Sequence, residues 1–173
     1  MEYIFLAGIH GVGKTTLLNR VKESTEIETL AISDLIRSAG NNINISEKRT
    51  NDIVNNQQLW VQELYKQNFA QGIKVILDGH LSLLDTNSEI KRLEFSVFEG
   101  IEISKVVLKK ENSNLIQERL YTRDQYSWDL KLINEFQKVE EQQVTNFCLI
   151  RNIPFLIYEN DNMFPDLLHF IEQ

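Results

Sequence analysis

The sequence predicts a three-layer α/β/α domain built on a five-stranded parallel sheet. Three observations carry that reading. Short apolar runs alternate with amphipathic helical runs along all 173 residues, the order that places helices on both faces of a parallel sheet. The first run, Ile4-Phe5-Leu6-Ala7, passes through a glycine-rich turn into a helical stretch, as a buried parallel strand does. No repeat, low-complexity tract or Pro/Gly-rich linker intervenes, and only Pro154 and Pro165 occur. One domain over residues 1–173 is therefore expected, long enough for a full core.

In order, Leu17, Leu18 and Val21 recur at helical spacing and predict a helix over about 14–24. Residues 27–32 read as the second strand. Ser33-Asp34 then suits the N-cap of a short helix carrying Leu35, Ile36 and Arg37, ending near Gly40. Residues 41–50 are polar and read as loop. Ile53, Val54, Trp60, Val61, Leu64, Tyr65 and Phe69 form the stripe of a longer helix, about 51–71, stopped by Gly72. Lys74-Val75-Ile76-Leu77 is the third strand and ends in Asp78. Residues 81–100 show no clear period. A fourth strand over 104–109, a helix over about 112–121, a polar bend at 122–128, a long helix over about 129–151, a fifth strand at 154–158 and a closing helix at 164–171 complete the chain.

The formal charge of −7 and pI near 5.0 argue against a sequence-independent grip on nucleic acid, which needs a basic face. Cys148 is the only cysteine, so no disulfide framework or thiolate zinc site is expected, and its apolar setting predicts a buried, inert thiol. His10, His80 and His169 lack ligand spacing. No apolar run approaches the ~20 residues of a membrane span, and Met1-Glu2-Tyr3 opens the first strand without a leader. These features predict a cytoplasmic, monomeric protein.

The chemistry begins at residues 8–16. Gly8, Gly13, Lys14 and Thr15 complete G-x-x-x-x-G-K-[ST] between a strand and a helix, the context that the pattern demands. Glycines at 8, 11 and 13 let backbone N–H groups turn toward a β-phosphate, and the helix adds the positive end of its dipole. Lys14 reaches the β- and γ-phosphates, and the Thr15 hydroxyl is placed to ligate Mg²⁺. The candidate triphosphate contacts are Gly8, His10, Gly11, Val12, Gly13, Lys14, Thr15 and Thr16, with ATP and Mg²⁺ as expected ligands. Asp78 ends a strand, where ligands sit in open α/β sheets, and is the second metal candidate. Its simpler role is a turn acid before Gly79.

Transfer of a phosphoryl group needs cations around the moving oxygens. Arg119 and Arg123 are four apart, one face of a helix, and both can close over the same phosphates. Arg37, one turn past the second strand, is a candidate acceptor contact with Ser33 and Asp34. A solvated arginine and plain capping residues are the alternatives there. Trp60, Trp128 and Tyr126 read as packing residues, and Gln57 and Gln58 as a solvated helix face. No second acid stands just beyond Asp78, where Gly79-His80-Leu81 follows, and no N-K-x-D motif occurs, which lowers water-activating ATPase and GTPase readings.

With these segments in hand, the chain resembles the P-loop nucleoside monophosphate kinase group, adenylate kinases and their relatives. The resemblance rests on residues 8–16, on Ile32-Ser33-Asp34-Leu35-Ile36-Arg37, on Leu77-Asp78-Gly79-His80, and on Arg119-Leu120-Tyr121-Thr122-Arg123-Asp124 with Glu135-Phe136-Gln137. It implies sheet order 2-3-1-4-5, an acceptor-binding arm over about 33–70 and a short lid over about 119–130. It further implies lid arginines at 119 and 123 and an acceptor-phosphate role for Arg37. The chain departs from the family at His80-Leu81-Ser82, where an aromatic residue and then Pro-Arg are usual. Three functions are expected to compete. One is transfer of the γ-phosphoryl of Mg-ATP to a nucleoside monophosphate. Another is transfer to a hydroxyl of a nucleoside or other metabolite, with Asp34 or Asp78 as base. The third is nucleotide-dependent regulation with little turnover.

Overall fold

The computed structural model describes residues 1–39, 53–85 and 87–173, with side chains described from residue 59 onward in the second of these segments. The central sheet is parallel throughout. β1 (Glu2–Ala7) enters the core, α1 (Lys14–Ser24) returns, and β2 (Ile27–Ala31) leads into α2 (Ile32–Ser38) and α3 (Ile53–Tyr65). β3 (Lys74–Asp78) is followed by a hairpin of β4 (Ser82–Leu84) and β5 (Ile90–Arg92) and a 3₁₀ turn over Phe95–Phe98. β6 (Glu102–Lys109), α4 (Ser113–Asp124), α5 (Leu130–Arg151), β7 (Phe155–Tyr158) and α6 (Phe164–Glu172) close the chain. The sheet runs β2-β3-β1-β6-β7. With the hairpin strands set aside, that is the order 2-3-1-4-5.

Residue alternation along β1 explains the three layers. Tyr3, Phe5 and Ala7 pack with Trp60, Phe98 and Phe147 under α2, α3 and α5, whereas Ile4 and Leu6 pack with Leu17, Val21, Leu167 and Ile171 under α1 and α6. β1 is central, pairing with β3 (Phe5 opposite Leu77) and with β6 (Phe5 opposite Val106). A third apolar cluster joins Ile9 and Val12 of the turn after β1 to Leu84, Ile116, Leu120, Trp128, Ile133 and Phe136. The glycine-rich turn is thus bonded sterically to α4, α5 and the hairpin. Trp128 and Trp60 are core residues, while Tyr126 is exposed. Cys148 is buried, and desolvation raises its thiol to about 12.

Several boundaries differ from the sequence expectation. Ile32, read as strand, opens α2, with Ala31 at the N-cap, so Ser33 and Asp34 lie inside the helix and do not cap it. α3 ends at Tyr65, because Lys66 and Gln67 bond back to the carbonyls of Glu63 and Leu64 and tighten the last turn, and the Gln67 side chain takes the Glu63 carbonyl. Tyr65 is exposed and bonds the Gly100 carbonyl. Gly40 and the expected loop 41–50 lie outside the described residues, as do the side chains of Ile53, Val54, Gln57 and Gln58. The aperiodic stretch 81–100 is the hairpin, and the Asp85 carboxylate accepts the amides of Asn87 and Glu89 in its turn. Backbone donors there, Glu89 first, hold the Asp85 carboxyl below its ordinary value.

Lys74 at the start of β3 bonds the last carbonyls of α6, Ile171 at 2.7 Å and Glu172 at 2.6 Å. A cation there also meets the negative end of the helix dipole. Lys74→Met is expected to lower stability by about 0.5–1 kcal/mol, read as a shift in urea midpoint at unchanged slope. A shift of zero would show these contacts to be energetically silent.

Candidate active site

The site is one cavity of about 490 Å³ at the carboxyl ends of β1, β2 and β3. The turn after β1 supplies its floor. Gly8 has φ +143°, and a Cβ there would come within 2.6 Å of the Lys109 carbonyl, so only glycine permits the strand to leave beside β6. Gly13 caps α1 in the left-handed region (φ 92°, ψ 29°), and among the described residues no side chain caps that end. First-turn amides of α1 therefore remain for an anion.

Lys14 folds back across the turn. Its Nζ donates to the Gly8 carbonyl, lies 3.4 Å from an Asp78 carboxylate oxygen and 3.4 Å from His80 Nδ1. Asp78 stands at the end of β3, beside Leu6 in register. Thr15 and Thr16, from the first turn of α1, line the same cavity as Asp78. Thr15 and Asp78 offer a hydroxyl and a carboxylate, hard oxygen donors of the kind Mg²⁺ takes when phosphates and waters complete its octahedron. Among the described residues no group of three or more His, Cys, Asp or Glu could hold a metal ion.

α4 forms one wall. It runs to Asp124, so Arg119 and Arg123 sit on a continuous helix face and the expected bend starts only at Gln125. Arg119 donates to the carbonyls of Gly11 and Val12, both at 3.3 Å, and pairs with Glu111 at 3.1 Å. Arg123 is held by the Asp124 carboxylate. Both arginines line the cavity and are exposed by more than two fifths. α2 forms another wall. Ser33, Asp34 and Arg37 all line it, with the Arg37 guanidinium ion-paired to Asp34 and its Nε on the Ser33 carbonyl. Of the expected triphosphate contacts, His10, Gly11, Gly13, Lys14, Thr15 and Thr16 face the cavity, whereas Val12 is buried behind it and Gly8 contributes its carbonyl.

Sequence reasoning passed over His80, Glu140 and Gln143. Two of the three histidines meet: the rings of His10 and His80 pack edge to face, centroids 4.3 Å apart, and His80 Nδ1 is 2.7 Å from the Gly8 carbonyl. Glu140 and Gln143 are buried polar residues on the apolar stripe of α5. Glu140 accepts the Leu81 amide at 2.9 Å and the Ser82 hydroxyl, and Gln143 donates to the carbonyls of Leu81 and Leu93. Together they fasten the segment after Asp78, and with it the cavity residues Leu83 and Leu93. The signal was present: two polar residues at core phase among Ile133, Phe136, Val144 and Phe147.

Burial is the main cause that raises the Glu140 carboxyl above its ordinary value; Ser82, the Leu81 amide and the Lys14 charge oppose it. A group that holds its proton more tightly when folded stabilises the fold fully below the unfolded value, and that contribution is lost as pH rises through the folded one. Relative to Glu140→Gln, wild-type Tm is therefore expected to fall as pH increases from about 4 upward. Two parallel Tm profiles would show that Glu140 is not the group responsible.

A strand, a glycine turn wrapped by lysine and threonine, and a strand-end acid in a 2-3-1-4-5 sheet define a P-loop nucleoside-triphosphate-binding domain. The chain belongs to the AAA domain family, whose model matches residues 7–136. No curated protein matches it. Among solved structures, a sugar kinase from Janibacter sp. HTCC2649 is similar over 99% of this chain and 95% of its own, with TM-score 0.62 and 13% identity. A gluconokinase from Sinorhizobium meliloti 1021 is similar over 97% and 87%, with TM-score 0.53 and 11% identity. These likenesses are of fold. Among the described residues no helix is long and apolar enough to cross a membrane.

Proposed function

We propose that the protein is a small-molecule kinase that transfers the γ-phosphoryl group of Mg-ATP to an acceptor held against α2. The observation that carries this is that Lys14, Thr15 and Asp78, together with Ser33, Asp34 and Arg37 of α2 and Arg119 and Arg123 of α4, line one shared cavity. Phosphoryl transfer asks mainly for position and positive charge, and this cavity offers both. Thr15 and Asp78 would hold Mg²⁺, which neutralises charge on the β- and γ-oxygens. Lys14 orients the terminal phosphate, and α4 with the residues up to about 130 acts as the short lid. The segment about 33–70 acts as the acceptor arm.

The preferred acceptor is a hydroxyl of a nucleoside, sugar or sugar acid. Arg37 is already neutralised by Asp34, and among the described residues no second arginine lines the α2 wall. A carboxylate beside a guanidinium suits hydroxyl groups, which both donate and accept. The sugar kinase and gluconokinase folds are consistent with such an acceptor. A nucleoside monophosphate is the second reading, favoured by Arg37 lying one turn past β2, as the nucleoside monophosphate kinase resemblance implies.

Incubation with Mg²⁺ and γ-labelled ATP against nucleosides, hexoses, gluconate and nucleoside monophosphates tests the proposal. A labelled hydroxyl acceptor is expected. A labelled monophosphate alone selects the second reading, and ATP consumption without any labelled acceptor overturns both.

A further inference from the structure

We propose that the β4–β5 hairpin sets the specificity of this transfer, with Leu83 selecting a hydroxyl acceptor that carries a flat ring with apolar faces. The proposal rests on the hydroxyl-acceptor reading above. Alternation along the two strands gives the hairpin two unlike faces. Ser82 stands opposite Arg92 and Leu84 opposite Ile90. This face lies on α5: Ser82 bonds Glu140, Arg92 bonds Gln142, and Leu84 packs in one cluster with Ile133 and Phe136. Leu83, opposite Lys91, belongs to the other face, and it lines the cavity. Lys91 shares that face, but its ammonium is tied to Asp85 and Glu89 at the hairpin turn. What the hairpin offers the cavity is a half-buried leucine.

The chain is held there at both ends. Leu81 is buried in the apolar cluster that contains Ile32 and Ile36 of α2, while Leu84 belongs to the cluster that contains Ile9 and Val12 of the phosphate-binding turn. A Cβ on Gly79 would come within 2.7 Å of Ile32, so the segment leaves β3 hard against α2. Leu83 therefore lies on a stretch that runs from the α2 cluster to the cluster of the turn, where an acceptor held by α2 has to meet the terminal phosphate. Gln143 donates to the carbonyls of Leu81 and Leu93 and so ties Leu93, a second cavity residue, to α5 as well. α2 adds Ile32 and Ile36 to the lining, four apart, beside Ser33 and Arg37 at the same spacing.

The acceptor end thus joins apolar groups to a small polar set. A hexose or sugar acid carries a hydroxyl on nearly every carbon, and each one pressed against leucine or isoleucine loses water without gaining a partner. A nucleoside gathers its hydroxyls on one ring and presents a base with apolar faces beside it. Leucine can cover the base while Ser33 and Asp34 take the hydroxyls. Among the described residues, those between 81 and 93 that line the cavity are Leu83 and Leu93, so the hairpin supplies no partner for a polyol.

The test compares rates with Mg²⁺ and γ-labelled ATP for nucleosides, glucose and gluconate in wild type, Leu83→Asn and Leu83→Met. Wild type is expected to favour a nucleoside over glucose and gluconate by about 10²-fold or more in kcat/KM. Leu83→Asn keeps the side-chain size and removes apolar surface. It should raise the nucleoside KM about 10-fold, with kcat and the KM for ATP unchanged. Leu83→Met should recover most of that loss. Preference for glucose or gluconate would overturn the assignment and leave the kinase reading standing, as would an acceptor KM that Leu83→Asn does not move. A KM for ATP that rises together with the acceptor's would overturn it too, as a general role in shaping the site. If wild type labels only monophosphates, or no acceptor at all, the hydroxyl-acceptor reading itself fails and the specificity assignment falls with it.

Discussion

Lys14→Met is expected to lower kcat/KM for phosphoryl transfer by about 10³-fold, with ATP binding weakened in parallel. The Lys14 side chain is 8% exposed, so its charge acts in a setting that water screens poorly. Its ammonium also meets the Gly8 carbonyl, Asp78 and His80 at once. Methionine fills the same space and removes the charge, which leaves the Asp78 carboxylate partly buried without its cation. The fold should survive, because Lys14 adds nothing to the apolar clusters. Thermal melts together with a fluorescent-nucleotide titration and steady-state rates check this. A variant with normal melting and normal rates would remove the turn from the active site.

Arg123→Ala carries the second large effect. Turnover is expected to fall by about 10³-fold, the lower range for an arginine that stabilises charge on a transferring phosphoryl group, while ATP still binds. The geometry explains that split. Arg119, one turn earlier, already touches the Gly11 and Val12 carbonyls and therefore belongs to the resting shape of the turn. Arg123 is instead parked on Asp124 at the end of α4. The guanidinium is 44% exposed although the Asp124 side chain is only 6% exposed, so a triphosphate with far higher charge density has access to it and competes with that carboxylate. Asp124→Asn should leave turnover intact or raise it modestly. Unchanged turnover in Arg123→Ala would mean that α4 is no lid.

The legible parts of the site were those set by short sequence patterns. Gly8 to Thr15 announces itself because anion binding by backbone needs glycines at fixed places, and Asp78 because a strand ends there. His80 and Glu140 were harder to see. Glu140 is 59 residues from Leu81, whose amide it accepts, and no local period reports a contact across that span. His80 gains meaning only from Gly8, 72 residues earlier. The hairpin after β3 escaped notice because each strand has three residues, too few to show alternation.

By itself the sequence determined the layer order, the parallel strands and the phosphate-binding turn, since each depends on the period or spacing of neighbouring residues. Tertiary structure alone decided which side chains converge. It paired Arg37 with Asp34, turned Arg123 onto Asp124, brought His80 to the first glycine of the turn and seated a buried acid behind it. Those choices follow from packing between elements distant in the chain, where distance in space and distance in sequence are unrelated.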